Sequence, residues 1–180
     1  MASVITILAD GFEEVEAITF IDLLRRAHIE VTVLGLEKLE VLGSHNIRVV
    51  ADMLLDDFSE PFHAVVLPGG PGTTNLATSE KVISLVKKAY EDRKICAAIC
   101  AAPTVLARAG ILAGKKVSCY PGTEDRLMGG ISVDEPVTVD GTVITSRGVG
   151  TAIPFALQLI STLKGQDTAK TVGRAILYTN

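Results

Sequence analysis

One unit recurs along this chain and constrains its fold more than anything else. A short apolar or β-branched run stops at glycine, proline or alanine, and helical apolar spacing follows. Residues 4–9 form such a run and end at Asp10-Gly11; over residues 13–27, Val15, Ile18, Ile21 (or Asp22) and Leu24 (or Arg25) then recur at three- to four-residue steps. Glu13, Glu14 and Glu16 in the first turn and Arg25 and Arg26 in the last complement the helix dipole. Residues 31–34 read as a strand. Residues 64–67 run into Pro68-Gly69-Gly70-Pro71-Gly72, with a helix over 80–93. Residues 94–99 run into Cys100-Ala101-Ala102-Pro103 and a helix to about residue 109, and residues 116–120 read as another strand. Residues 41–50, broken by Gly43-Ser44, resemble a hairpin or a pair of short extended pieces, and 137–139 and 143–146 form a hairpin around Asp140-Gly141. Helices over 150–163 and 166–175 close the chain. The alternation predicts one α/β domain over residues 1–180: a three-layer sandwich with a mostly parallel sheet, helices on both faces and a small antiparallel hairpin.

Composition removes several function classes. There are 17 Lys and Arg against 21 Asp and Glu, a net charge of −4, and no Trp. Phosphate backbones need clustered positive charge and bases need aromatic platforms, so no nucleic-acid partner is expected. The most apolar stretch, residues 95–114, is mostly alanine and carries Pro103 and Arg108, so no membrane span is expected. Three cysteines at irregular spacing make a poor disulfide framework, and Met-Ala-Ser opens the sequence without a basic stretch. A cytoplasmic protein is the expectation. No dinucleotide or phosphate-loop fingerprint occurs, and no metal spacing joins His28, His45, His63 and the cysteines, so no cofactor or metal is expected.

In a parallel sheet, ligands sit beyond the C-terminal strand ends. Three candidate segments fall there: residues 10–16, 68–72 and 100–103. Cys100 occupies the bend from strand to helix, with small neighbours that allow a tight turn and with Pro103 in the first helical turn. The helix N-terminus should favour a thiolate, so a lowered Cys100 pKa and a reactive sulfur are expected. A carboxyl among Glu13, Glu14 and Glu16 is expected to aim at that sulfur, and spacing does not choose among them. Gly69 and Gly70 offer backbone N–H groups for an oxyanion. Cys96, on the strand, reads as packing. Cys119 is either a second thiol near the site or plain burial.

These segments resemble the ThiJ/PfpI superfamily, in the branch of the parkinsonism-associated protein deglycase and the bacterial YajL protein. The resemblance rests on Leu8-Ala9-Asp10-Gly11-Phe12-Glu13-Glu14-Val15-Glu16-Ala17, on Val66-Leu67-Pro68-Gly69-Gly70, on Ala97-Ala98-Ile99-Cys100-Ala101-Ala102-Pro103 and on Thr145-Ser146-Arg147-Gly148-Val149-Gly150-Thr151. It implies a flavodoxin-like fold, a homodimer, Cys100 as nucleophilic or oxidisable thiol and Glu16 as the buried carboxyl, with Gly69, Gly70 and Ala101 as backbone donors. It further implies glutathione-independent glyoxalase activity on methylglyoxal or glyoxal, deglycation of their protein adducts, and a role in oxidative stress. The alternative is a non-catalytic redox sensor or chaperone working through oxidation of Cys100. Many members carry His where this chain has Tyr120. Proton transfer then falls to Glu16 or water, and turnover that is slow or absent is expected. His45 aligns with an Arg that approaches the partner's site across the family dimer. Arg26, Cys119, Tyr120 and His45 are accessory positions.

Overall fold

The computed structural model describes residues 2–179. Strand β1 (Ser3–Leu8) leads into α1 (Glu14–Arg26), β2 (Glu30–Gly35), the short strands β3 (Glu40–Leu42) and β4 (Arg48–Val50), and β5 (Met53–Leu54). Then come β6 (Ala64–Leu67), α2 (Thr73–Thr78), α3 (Glu80–Glu91), β7 (Ile95–Ile99) and α4 (Pro103–Arg108). The chain ends through β8 (Lys116–Val117), β9 (Ile131–Ser132), β10 (Val137–Asp140), β11 (Val143–Ser146), α5 (Ala152–Lys164) and α6 (Gln166–Ala175).

Seven strands form the central sheet in the order β10-β11-β7-β6-β1-β2-β5. All pair in parallel except β10, which returns antiparallel to β11 across Asp140 and Val143. Strand alternation divides the core. Val4 and Leu8 of β1 face one side with α1, α5 and α6, whereas Ile5 and Ile7 face the other with α3 and α4. Phe20 of α1 meets Phe155 of α5 edge to face at 6.3 Å between ring centroids. Each of these fully buried rings contributes about 1.5–3 kcal/mol through burial. The three-layer arrangement is the expected one.

One strand is shorter than the sequence pattern implied. Residues 116–120 were expected to be extended throughout, yet β8 stops at Val117 and pairs only with β9. The backbone beyond it turns to other partners: the Ser118 N–H donates to Thr145 Oγ1 at 2.9 Å and the Tyr120 N–H to the Cys100 carbonyl at 2.8 Å. Those bonds draw the Tyr120 segment against the C-terminal end of β7. No helix among the described residues is long and apolar enough to cross a membrane.

Candidate active site

Cys100 follows β7 directly and has φ of 64°. A side chain with a Cβ enters this left-handed region at a cost of about 1–3 kcal/mol, so neighbours must hold it there. Two do. The Cys100 N–H donates to the Ser146 carbonyl at 3.0 Å, and its own carbonyl accepts the Tyr120 N–H. Ala101 and Ala102 complete the bend, and Pro103 opens α4 where a missing N–H costs nothing.

Glu16, in the first turn of α1, is fully buried. Its Oε2 accepts the Gly69 N–H at 2.8 Å. Its Oε1 has neither solvent nor a hydrogen-bond partner. Burial pushes Glu16 up to about 7 against the downward pull of the Gly69 N–H and of Cys100. The glycines are required by closeness. A Cβ on Gly69 would stand 2.7 Å from Glu16 Oε2 and 2.9 Å from Cys100 Sγ. Gly70 adopts φ of 88°, and a Cβ there would stand 2.6 Å from the Glu13 nitrogen. The loops after β1 and β6 are laced together: the Glu13 N–H donates to the Gly69 carbonyl at 3.0 Å, and the Gly72 N–H to the Gly11 carbonyl at 2.9 Å.

The thiol departs from expectation. Burial pushes Cys100 up to about 12, and the adjoining Glu16 charge adds to this, while the N–H groups of Gly70 and Ala101 pull the other way. The expected lowering rested on the helix N-terminus. That helix, α4, spans six residues, and its field is outweighed by desolvation and by a carboxylate beside the sulfur. Above about pH 7 the two groups hold one proton between them. The donors are also divided differently from expectation: Gly69 serves Glu16, and Gly70 and Ala101 serve the sulfur.

The remaining candidates scatter. Glu14, one of the three carboxyls among which spacing did not choose, is buried and ties down the β3–β4 hairpin: its oxygens accept the His45 N–H at 2.6 Å, the Ser44 hydroxyl at 3.1 Å and the His45 ring at 3.0 Å. Burial alone would raise Glu14, but the His45 ring and backbone N–H groups outweigh it and bring it down to about 2. His45 is exposed, and its pKa is raised, first by Glu14 and then by Glu13. Glu13, Glu14 and His45 offer ligand atoms within 4.8 Å of one another, a proximity the spacing hid. The donors already on Glu14 make this a structural tie. Arg26 lies ten residues along α1 from Glu16, about 15 Å away, paired with Asp22 at 2.6 Å, so it is not brought to the site. Cys119 is buried in the core beneath α3 and α4, with Ser132 Oγ at 4.0 Å, and does not line the cavity. Cys96 is packing, as expected, and burial raises it to about 12.

Cys100 and Glu16 open into a cavity of about 1090 Å³ whose walls include Glu13, Ala101, Tyr120, Arg126, Asp134 and Arg147. Arg147 pairs with Asp134. The sequence reading assigned Arg126, Asp134 and Arg147 no role. Arg147 directly follows the end of β11, a position that marks it in retrospect.

The profile described as the DJ-1/PfpI family matches residues 2–162. The chain belongs to the DJ-1/PfpI family. It is 41% identical to the protein dj-1beta of Drosophila melanogaster over 180 residues, covering 97% of this chain and 96% of that one. The crystal structure of Drosophila DJ-1beta superposes with a TM-score of 0.95 at 40% identity and covers 99% of both chains. A glutathione-independent glyoxalase of Caenorhabditis elegans is 34% identical, covering 92% of this chain and 90% of that protein. A deglycase of Pyrococcus horikoshii is 33% identical, covering 89% and 99%. The chain spans only 40% and 44% of the lengths of the Arabidopsis thaliana DJ-1 homologs B and A, with which it shares 39% identity.

Proposed function

We propose that this protein is a cysteine-dependent, glutathione-independent glyoxalase acting on methylglyoxal and glyoxal, with deglycation of their protein adducts as the same chemistry on a larger substrate. One observation carries the reading. A half-buried thiol on a strained bend faces a fully buried carboxyl that keeps one oxygen unpartnered, at the mouth of an open cavity. The glyoxalase and deglycase relatives support it.

In this mechanism Cys100 Sγ attacks the aldehyde carbon while its proton passes to Glu16, forming a hemithioacetal. The N–H groups of Gly70 and Ala101, which already face the sulfur, are the donors available to the new alkoxide. Glu16 returns that proton to the alkoxide, then takes the proton from the former aldehyde carbon to give an enediolate and delivers it to the former ketone carbon, while the hydroxyl proton of the first carbon passes to the oxygen of the second. The first carbon is oxidised to a thioester and the second reduced to a carbinol, so no outside oxidant is needed. Water releases the 2-hydroxy acid, and Cys100 recovers its proton. The route requires a free thiol. The three cysteines are unpaired, which suits a reducing compartment such as the cytoplasm. Chirality-resolved lactate formation from methylglyoxal tests the reading. Cys100→Ala and Cys100→Ser abolish it if the reading holds, and full turnover in either overturns it.

The same sulfur supports a second reading as a redox sensor, because a sulfinate on Cys100 would accept the Gly70 and Ala101 N–H groups. Mild peroxide followed by mass spectrometry separates the two: a sensor gains oxygen on Cys100 with negligible aldehyde turnover.

Assembly as a homodimer fits the surface. Val15 and Ile18 of α1 are 51% and 44% exposed, and Ile47 and Val50 of the neighbouring hairpin are 56% and 70% exposed. Glu14 ties these two elements together through the His45 and Ile47 N–H groups, which brings α1 and the hairpin side by side on this surface. Ile18→Glu is expected to convert a dimer to a monomer in sedimentation; an unchanged mass places the interface elsewhere.

A further inference from the structure

We propose that the cavity selects 2-oxoaldehydes bearing a carboxylate tail, and that Arg126 is the residue that reads the tail. The inference rests on the glyoxalase reading and names its substrate class. Methylglyoxal has three carbons. A cavity of about 1090 Å³ stands at the upper end of the about 300–1,000 Å³ typical of sites for ligands several times larger. The aldehyde end is fixed at Cys100, so the remaining wall decides what the rest of the substrate carries.

Charge on that wall is compensated except at one group. Arg147 is paired with Asp134. Glu13 accepts the Ser44 hydroxyl at 3.3 Å and lies 3.7 Å from the His45 ring. Glu16 shares a proton with Cys100. Arg126 has no carboxylate within ion-pair distance and no side-chain hydrogen bond among the described residues. A guanidinium presents a fork of N–H donors that matches a carboxylate edge. Three carboxylates face the same cavity, which favours a singly charged tail over a doubly charged one.

The backbone of Arg126 is also held, rather than free on a loop. The Cys100 carbonyl holds the Tyr120 N–H, the Tyr120 carbonyl holds the Thr123 N–H at 3.1 Å and hydroxyl at 2.7 Å, and the Thr123 carbonyl holds the Arg126 N–H at 3.1 Å. Three consecutive links therefore fix the backbone of Arg126 relative to the sulfur.

A substrate of this class is 4,5-dioxopentanoate. The chemistry proposed above converts it, with one water, to 2-hydroxyglutarate: the aldehyde carbon is oxidised, the adjacent ketone carbon is reduced, and the tail is untouched. The test compares kcat/KM for this acid with that for its methyl ester, which has the same length without the charge, at low salt. The acid is expected to exceed the ester by about tenfold. Arg126→Gln should bring that ratio to about one, and Arg126→Lys should retain part of it. A wild-type ratio near one, or an unchanged ratio in Arg126→Gln, overturns the proposal while methylglyoxal turnover keeps the glyoxalase reading in place. If no aldehyde is turned over, the glyoxalase reading fails by itself. Calorimetric titration of 2-hydroxyglutarate and lactate into Cys100→Ala protein then decides the anion site. Tighter 2-hydroxyglutarate binding that disappears in the Cys100→Ala/Arg126→Gln double variant upholds it, and equal binding of the two acids overturns it.

Discussion

Replacing Glu16 by glutamine should stabilise the protein and disable it, and both effects should follow one titration. In the folded protein burial raises Glu16 from 4.5 to about 7. A carboxyl whose folded pKa lies above its unfolded value binds more protons folded than unfolded between those two pH values. Stability is therefore lost as pH rises from about 4.5 to about 7, and the penalty is complete above that. A shift from 4.5 to about 7 at about 1.4 kcal/mol per pKa unit sets a ceiling of about 3 kcal/mol. Glutamine has nearly the same shape, can still accept the Gly69 N–H through its oxygen, and never ionises. Urea denaturation of wild type and Glu16→Gln from pH 5 to 8.5 should show curves that nearly coincide at the acid end. The variant should become more stable by about 1–3 kcal/mol at the alkaline end. Across the same window wild-type kcat/KM should rise with pH, because only ionised Glu16 can accept the thiol proton. The variant should lose turnover by about 10²–10⁴-fold. A stability difference that does not change with pH would refute the reasoning. So would a variant less stable than wild type at every pH.

Two further substitutions probe the same constellation. Gly69→Ala places a Cβ against Cys100 and Glu16 and should destabilise the fold by about 1–3 kcal/mol and slow alkylation of Cys100, measured by denaturation and by timed thiol labelling; unaltered labelling would show that the sulfur does not depend on this contact. Tyr120→His puts an imidazole on a backbone already bonded to the Cys100 carbonyl at 2.8 Å, and should raise methylglyoxal turnover about tenfold or more; an unchanged rate would mean that proton transfer does not limit it.

The sequence carried the sheet and the cysteine bend because both are local. Residues 94–103 read as strand, small-residue turn and proline-started helix without any knowledge of the rest. The choice among three glutamates was not local. Successive residues on a helix point about 100° apart, so Glu13, Glu14 and Glu16 face three directions. Which of them meets the sulfur depends on how α1 is rotated against the sheet by Phe20 and Phe155, far along the chain. Glu14 needed a hairpin some thirty residues away before it could be seen as buried. Arg126 sits on a turn after a strand that stops early. The residues that stop it, Ser118 and Tyr120, bond to groups at Thr145 and Cys100 that periodicity cannot anticipate.

The thiol shows why local reading fails on energetics even where it succeeds on placement. A helix N-terminus contributes a fixed, short-ranged field that any sequence containing such a bend implies. Desolvation depends on everything packed around the sulfur, and here it acts on Cys100 and Glu16 together. With a thiol near 12 and an acid near 7, the sulfur ionises by handing its proton to Glu16 rather than to water. That transfer removes the carboxylate charge opposing the thiolate and turns the Glu16 group into a hydrogen-bond donor, so its energetic cost is smaller than the separate pKa values imply. A mechanism that moves the proton within the pair needs the two groups adjacent. The glycines at positions 69 and 70, by leaving no side chain between them, meet that condition.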